Sequence, residues 1–238
     1  MIVVRAVLFN LVLFGSGAVF LSLALPALLM PRRFTILVGE IWFPFVLAAL
    51  RFICGVSHEI RGLENVPAKP CIIAAKHQSA WDTFAFLTFI DDGAYVIKRE
   101  LTRIPVYGWM LIKAAMVPVD RAAGAKALRN MVRTARSRMA DGRHIVIFPE
   151  GTRTAPGERR SYHPGVAALY SQLAVPVVPV ALNSGLFWPR RAFLKRPGHI
   201  VVEFLPPIPP GLPRREFMEQ LQSAIEEASR RLSGADPA

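Results

Sequence analysis

Apolar residues fill the first fifty positions almost without a break. Ala6 to Met30 holds 25 residues and no charged side chain. As a helix that run measures roughly 37 Å, against a hydrocarbon core of roughly 30 Å, so it is long enough to span a bilayer. Arg5 and the pair Arg32/Arg33 bracket it. A second run, Phe34 to Leu50, has 17 residues, with Glu40 inside it and Pro44 near its end. With Trp42, Phe43 and Phe45 it suits an interface-lying or re-entrant helix. A cleaved signal peptide fits poorly, because the first run exceeds the usual ~7–15-residue apolar core and no A-x-A site follows it. Arg32, Arg33, Arg51 and Arg61 outnumber Arg5, which favours a cytoplasmic carboxyl side if only one run crosses.

From about Arg51 the pattern changes to short β-branched runs between longer helical stretches. Strands are predicted at Cys71–Ala75, Ala94–Ile97, Met116–Val119, His144–Phe148, Val177–Leu182 and Ile200–Leu205. Most are continuously apolar, as strands buried on both faces are. Helices are predicted at Ala80–Phe89, Ile104–Lys113, Ala123–Ala140, Pro164–Leu173 and Arg214–Leu232, with Ser233–Ala238 a frayed tail. This alternation predicts an α/β domain over 51–238: a mostly parallel central sheet flanked by helices. It follows an N-terminal membrane-embedded helical segment, 1–50. In Ala123–Ala140 the residues Leu128, Met131, Val132, Ala135 and Met139 share one face and should pack on the sheet. Lys126, Arg129, Arg133 and Arg136 form another face.

Composition sharpens the picture. The 238 residues are 53% hydrophobic and 19% charged, with a formal net charge of +12. That excludes a disordered chain. It points first to an anionic membrane surface and second to nucleic acid. No helix-turn-helix, RRM or zinc-finger signature supports the second. The segment Phe187–Lys195 interleaves aromatic and basic residues, which suits lipid head groups as well as a solvated loop. Two cysteines, Cys54 and Cys71, exclude a disulfide scaffold and a Cys-rich zinc site, and free thiols are expected.

Two clusters carry chemistry. Lys76-His77-Gln78-Ser79-Ala80-Trp81-Asp82-Thr83 follows the Cys71–Ala75 strand directly. Parallel strand ends are where α/β domains place reacting groups. Ser79 can cap the next helix, with Asp82 in its first turn. Positions five apart on one helix diverge by about 140°, so His77 must lie outside the helix to meet Asp82. Then Asp82 fixes the tautomer and the other ring nitrogen faces the cleft as a general base. An N-cap box beside an incidental histidine fits the spacing equally well. A metal pair would need further ligands that are not near in sequence. The second cluster, Phe148-Pro149-Glu150-Gly151-Thr152-Arg153, follows the His144–Phe148 strand. Its glycine turn can bring main-chain N–H groups near a ligand, and Arg153 offers a fork suited to phosphate. It is not a P-loop. Lys98, in Lys98-Arg99-Glu100-Leu101, and Arg121, in Val119-Asp120-Arg121, also follow strand ends. A parallel sheet brings His77, Lys98, Arg121 and Arg153 to one edge, where they would bind a phosphate and deprotonate a group beside it.

The ordered set HQSAWD, KREL with the following Pro105/Gly108/Trp109 segment, VDR, FPEGTR and the late VPVVPVAL run resembles the bacterial lysophosphatidic acid acyltransferases. These lie within the wider H-x-x-x-x-D glycerophospholipid acyltransferases. The resemblance covers about Glu59–Leu182. It implies His77 as base with Asp82 as its partner, and Lys98 and Arg153 on the acceptor phosphate with Arg121 in support. Glu150, Gly151, Thr152 and Ser79 would shape the motifs. Main-chain N–H groups near Ser79 would be candidate oxyanion donors. Lys76 departs from the asparagine common before the histidine. The resemblance further implies a lysophospholipid acceptor and an acyl-CoA or acyl-ACP co-substrate, with no resident cofactor or metal and no nucleic-acid partner. The product would be phosphatidic acid, made at the cytoplasmic face of a bacterial inner membrane. A sister acyltransferase for lyso-ornithine lipid or glycerol 3-phosphate, or a non-catalytic phospholipid-binding membrane protein, would share much of this pattern.

Overall fold

The computed structural model describes residues 1–120 and 124–234. Its apolar start is a helical hairpin shaped by proline. Helix α1 covers Ile2–Leu23 and stops short of the full uncharged run, giving way to a 3₁₀ turn at Pro26–Leu28. Proline lacks the N–H a continuing helix needs and its ring clashes one turn back. Helix α2, Arg32–Ala49, starts after Pro31, keeps Pro44 inside, and continues as a π turn to Cys54. Both helices are long and apolar enough to cross a membrane, and little of either is buried. The two pack together where the ring of Trp42 lies over Gly17, a Cβ on which would meet that ring at 3.2 Å.

The remaining elements are β1 (Val56–Arg61), β2 (Ile72–Ala75), α3 (Ala80–Phe89), β3 (Ala94–Lys98), α4 (Tyr107–Lys113), β4 (Val117–Val119), α5 (Gly124–Ala140), β5 (Ile145–Ile147), α6 (Pro164–Leu173), β6 (Val177–Leu182), β7 (Gly198–Phe204) and α7 (Arg214–Leu232). The sheet order is β1-β7-β6-β2-β5-β3-β4. Its pairings are parallel except β6 against β7, so the edge pair β1/β7 runs opposite to the other strands. The mostly parallel sheet flanked by helices is therefore as expected. Strand β1 is an addition, because its edge position leaves Glu59 and Arg61 exposed and only Val56 fully buried.

The central strands alternate between two cores. Ile73, Ala75, Val146, Val178 and Val180 face the side covered by the hairpin and α3. Ile72, Ala74, Ile145, Ile147 and Val177 face α5, α6 and α7. Burial on both faces explains the continuous apolar runs. On α5, Ala127, Met131, Val132 and Ala135 are buried, while Lys126, Arg129, Arg133 and Arg136 face solvent. The five central strands share one direction, so the C-terminal ends of β2, β3, β5 and β6 form one rim, and the candidate residues lie there.

Candidate active site

The segment after β2 is held in a capping box. Ser79 Oγ accepts from Trp81 N–H at 3.0 Å, and Asp82 Oδ2 accepts from Ser79 N–H at 2.9 Å. His77 precedes that cap and lies outside the helix. Its ring turns back, bringing Nδ1 to 3.0 Å from Asp82 Oδ2. The same oxygen accepts from Gln78 N–H at 2.7 Å, and Oδ1 accepts from the Ser184 hydroxyl. Asp82 is fully buried, while His77 keeps 16% of its side chain exposed. The imidazole stacks on Phe148 with centroids 4.1 Å apart. With Nδ1–H committed to Asp82, Nε2 is the nitrogen available as an acceptor.

These contacts correct one expectation. The Gln78 and Ser79 N–H groups both point at Asp82, so neither is open to an oxyanion. They are spent on orienting the carboxylate.

The FPEGTR turn lies beside this segment. Gly151 N–H closes the turn onto Phe148 O at 2.9 Å, and Gly151 sits at φ 65°, where glycine escapes a Cβ penalty of about 1 kcal/mol. Glu150 Oε2 accepts from His77 N–H at 2.9 Å. His77 O accepts from Thr154 N–H at 2.8 Å. Glu150 therefore anchors the main chain of His77, a more specific part than general shaping.

His77, Lys98, Thr152 and Arg153 line one cavity of about 1260 Å³. Arg121 lies outside the described residues. Arg190 and Arg191, from the Phe187–Lys195 segment that sequence reasoning read as suited to lipid head groups but did not place in this site, line the same space, and Arg190 donates to Arg153 O at 3.4 Å. Burial pushes the Arg153 guanidinium below its usual range; Arg190 and Arg191 add to that while Asp82 opposes it. Arg153, Arg190 and Arg191 thus lie close enough to feel one another's positive charge. Much of the remaining lining is apolar, with Phe20 and Leu21 from α1, Trp42 and Phe43 from α2, and Phe84 and Leu87 from α3. A polar end able to hold a phosphate and move a proton thus opens onto a greasy groove. Cys71 stands at the start of β2, away from that rim, and burial pushes its thiol up to about 12.

Residues 57–183 match the family model described as acyltransferase. The chain belongs to the acyltransferase family. A 1-acyl-sn-glycerol-3-phosphate acyltransferase of Pseudomonas aeruginosa is 37% identical, over 84% of this chain and 78% of that one. The human 1-acyl-sn-glycerol-3-phosphate acyltransferase alpha is 27% identical, over 69% of this chain and 59% of its own length. The crystal structure of the 1-acyl-sn-glycerophosphate (LPA) acyltransferase from Thermotoga maritima superposes with a TM-score of 0.79 over the full length of both chains, at 23% identity. That likeness shows the shared fold.

Proposed function

We propose that this protein transfers a fatty acyl group from a thioester donor, acyl-CoA or acyl-ACP, to the free hydroxyl of lysophosphatidic acid, giving phosphatidic acid for phospholipid biosynthesis. The observation that carries the reading is one cavity shared by His77, which Asp82 holds from behind, Lys98, Arg153 and an apolar groove. The named activities of the relatives support it.

Arg153 and Lys98 hold the acceptor phosphate through charge-assisted contacts. Arg190 and Arg191 add to the field that attracts it. Binding there places the glycerol hydroxyl by His77, which supplies the proximity term. Nε2 takes the hydroxyl proton as the oxygen attacks the thioester carbonyl. Asp82 stabilises the imidazolium that forms, and the Ser184 hydroxyl and Gln78 and Ser79 N–H groups keep Asp82 aimed. The carbon–sulfur bond then breaks, and the imidazolium returns the proton to the departing thiolate. Positioned proton transfer of this kind contributes ~10²–10⁴-fold. The high thiol pKa of Cys71 and its place away from the rim favour direct transfer over an acyl-cysteine.

The hairpin fits the same reading, lying on the membrane rather than crossing it. Both ends of α2 rest on the α/β domain. Arg32 bridges Asp92 and donates to Ala114 O at 3.3 Å, while Leu47 and Leu50 are buried in the sheet core. The outward residues Val4, Leu11, Phe14, Leu29 and Phe52 are exposed and apolar. Acyl thioesters are cytosolic, so the domain would sit on the cytoplasmic face of a bacterial inner membrane.

The test is thiol release from oleoyl-CoA by detergent-solubilised protein, with and without lysophosphatidic acid. The wild type should release thiol only with acceptor, and His77→Ala should lose at least ~10²-fold of that rate. Near-normal turnover in His77→Ala would remove the base assignment. Release without acceptor would point to a thioesterase, and acceptor-dependent release with lyso-ornithine lipid alone to the sister activity.

A further inference from the structure

Lys76 is a buried charge next to His77 in the chain that the mechanism does not use. Its side chain is 1% exposed, and Nζ lies 2.6 Å from Glu150 Oε1. It also lies 2.8 and 2.9 Å from the two carboxylate oxygens of Glu226 on α7, and donates to Glu158 O at 3.3 Å. The Tyr162 hydroxyl donates to Glu226 Oε1 at 3.3 Å. One cation thus ties together two carboxylates from distant parts of the chain.

Glu150 depends on that cation. Its side chain is fully buried, and a buried carboxylate without a partner costs several kcal/mol. Burial raises its pKa while Lys76 opposes the rise. The groups facing it are Lys76, the Thr154 hydroxyl at 2.9 Å and the His77 N–H at 2.9 Å, with Tyr162 close by. Beyond Lys76 lie Glu226 and the Glu158 carboxylate, which pairs with Arg160. Charged Glu150 can only accept, so it holds the His77 N–H and the Thr154 hydroxyl in one arrangement. A protonated Glu150 would put a donor into that site and compete with the arrangement.

Resting on the acyltransferase reading, we infer that Lys76 is a positioning residue for His77. Steadied by Glu226 of α7, it holds Glu150 in the geometry that clamps the His77 main chain and so aims the imidazole. Lys76 does not meet substrate, since its ammonium lies behind His77 among carboxylates.

The experiment compares wild type, Lys76→Met, Lys76→Met/Glu150→Gln and Glu226→Gln in thiol release across pH, corrected for folded fraction. In Lys76→Met, kcat should fall by at least ~10-fold with both KM values within about two-fold, as loss of an alignment term predicts. The acid limb of its kcat profile should move up by about one pH unit or more, because Glu150 binds a proton once its cation is gone. The double variant lacks the titrating carboxyl at position 150 and leaves only the partly exposed Glu226 without its cation. It should stay slow while its acid limb returns to the wild-type position. Glu226→Gln should lose ~3- to 10-fold in kcat with the limb unmoved. Wild-type kcat and limb in folded Lys76→Met would overturn the inference. If that variant does not fold, wild-type kcat in both the double variant and Glu226→Gln would do so. If the wild type shows no acceptor-dependent release, the acyltransferase reading fails separately. The clamp is then judged by diethyl pyrocarbonate labelling of His77, read by mass spectrometry. Faster labelling in the double variant than in wild type supports the clamp, and equal rates overturn it.

Discussion

Asp82→Asn separates the charge of Asp82 from its shape. The two side chains have the same shape, with one oxygen replaced by nitrogen, and the site decides which way the amide turns. Asp82 Oδ2 receives the Gln78 and Ser79 N–H groups at 2.7 and 2.9 Å, so the asparagine oxygen must occupy that place. The amide nitrogen then faces Ser184, whose hydroxyl can rotate to accept. His77 Nδ1–H keeps an oxygen at about the present 3.0 Å, so tautomer and aim survive. What is lost is the negative charge beside the imidazolium. Two unit charges 4 Å apart interact by about 4 kcal/mol at an effective dielectric of 20, and a charge-assisted hydrogen bond exceeds a neutral one by about 1 kcal/mol or more. The loss therefore lies at about 2–4 kcal/mol. At 1.36 kcal/mol per decade, kcat should fall about 30- to 1000-fold. The acceptor KM should not rise, because Asp82 opposes the positive field at Arg153 and its removal relieves that. The assay is acceptor-dependent thiol release, beside a thermal melt to establish folding. A folded Asp82→Asn within about fivefold of wild-type kcat would refute the electrostatic role of Asp82.

Arg153→Ala should raise the KM for lysophosphatidic acid at least tenfold with a smaller effect on kcat, since phosphate contacts serve binding and placement together; an unchanged acceptor KM in steady-state kinetics would exclude Arg153 from the phosphate site. Stability should decline as pH falls below about 6.5, because burial lowers the His144 pKa, so the unfolded chain takes up a proton before the folded one does. Moreover, His144 Nδ1 accepts from Cys71 N–H at 3.2 Å and must be unprotonated to do so. Thermal melts between pH 7.5 and 5.5 should show a falling midpoint that flattens in His144→Gln, and an equal fall in that variant would clear His144 of the effect. Leu29 is 92% exposed and Ile112 61%. Leu29→Glu/Ile112→Glu should weaken retention on phosphatidylglycerol vesicles in a flotation assay, since charge at a lipid-facing position is costly, and undiminished flotation would place the membrane contact elsewhere.

Much of the α/β domain is written in local pattern. The bounds of α3, α6, α7 and β6 match their periodic segments, because proline, serine or a β-branched run marks them in sequence. Helical geometry alone required His77 to lie outside α3 if it met Asp82, and Ser79 supplies the cap that makes this so. Other features have no local signal. Strand β1 carries charge at alternate positions because it is an edge, and it reads as loop. The reversed direction of β1 and β7 depends on long-range pairing. Ser184 lies 102 residues beyond Asp82 and nothing near it in sequence announces the contact. Lys76 reads as a departure from a motif, and its place becomes legible only when α7 brings Glu226 to it.

The cavity makes the hairpin and the site one structural problem. Phe20 and Trp42, from the two apolar helices, line the same space as His77 and Arg153. An acceptor lipid has to leave the bilayer tail first or head first. In the proposed reaction, a groove walled by the two apolar helices would let the chain stay in apolar surroundings while only the phosphate crosses to the basic rim. At ~0.8 kcal/mol per buried methylene, exposing a sixteen-carbon chain to water on the way would cost about 13 kcal/mol. No set of phosphate contacts recovers that. The apolar wall is therefore a kinetic requirement of the proposed reaction as much as an anchor. It follows that substitutions hardening this wall with charge, such as Phe20→Glu, should slow turnover with long-chain acceptors far more than with short, water-soluble ones. A variant that slowed both equally would show that the lipid takes another way in.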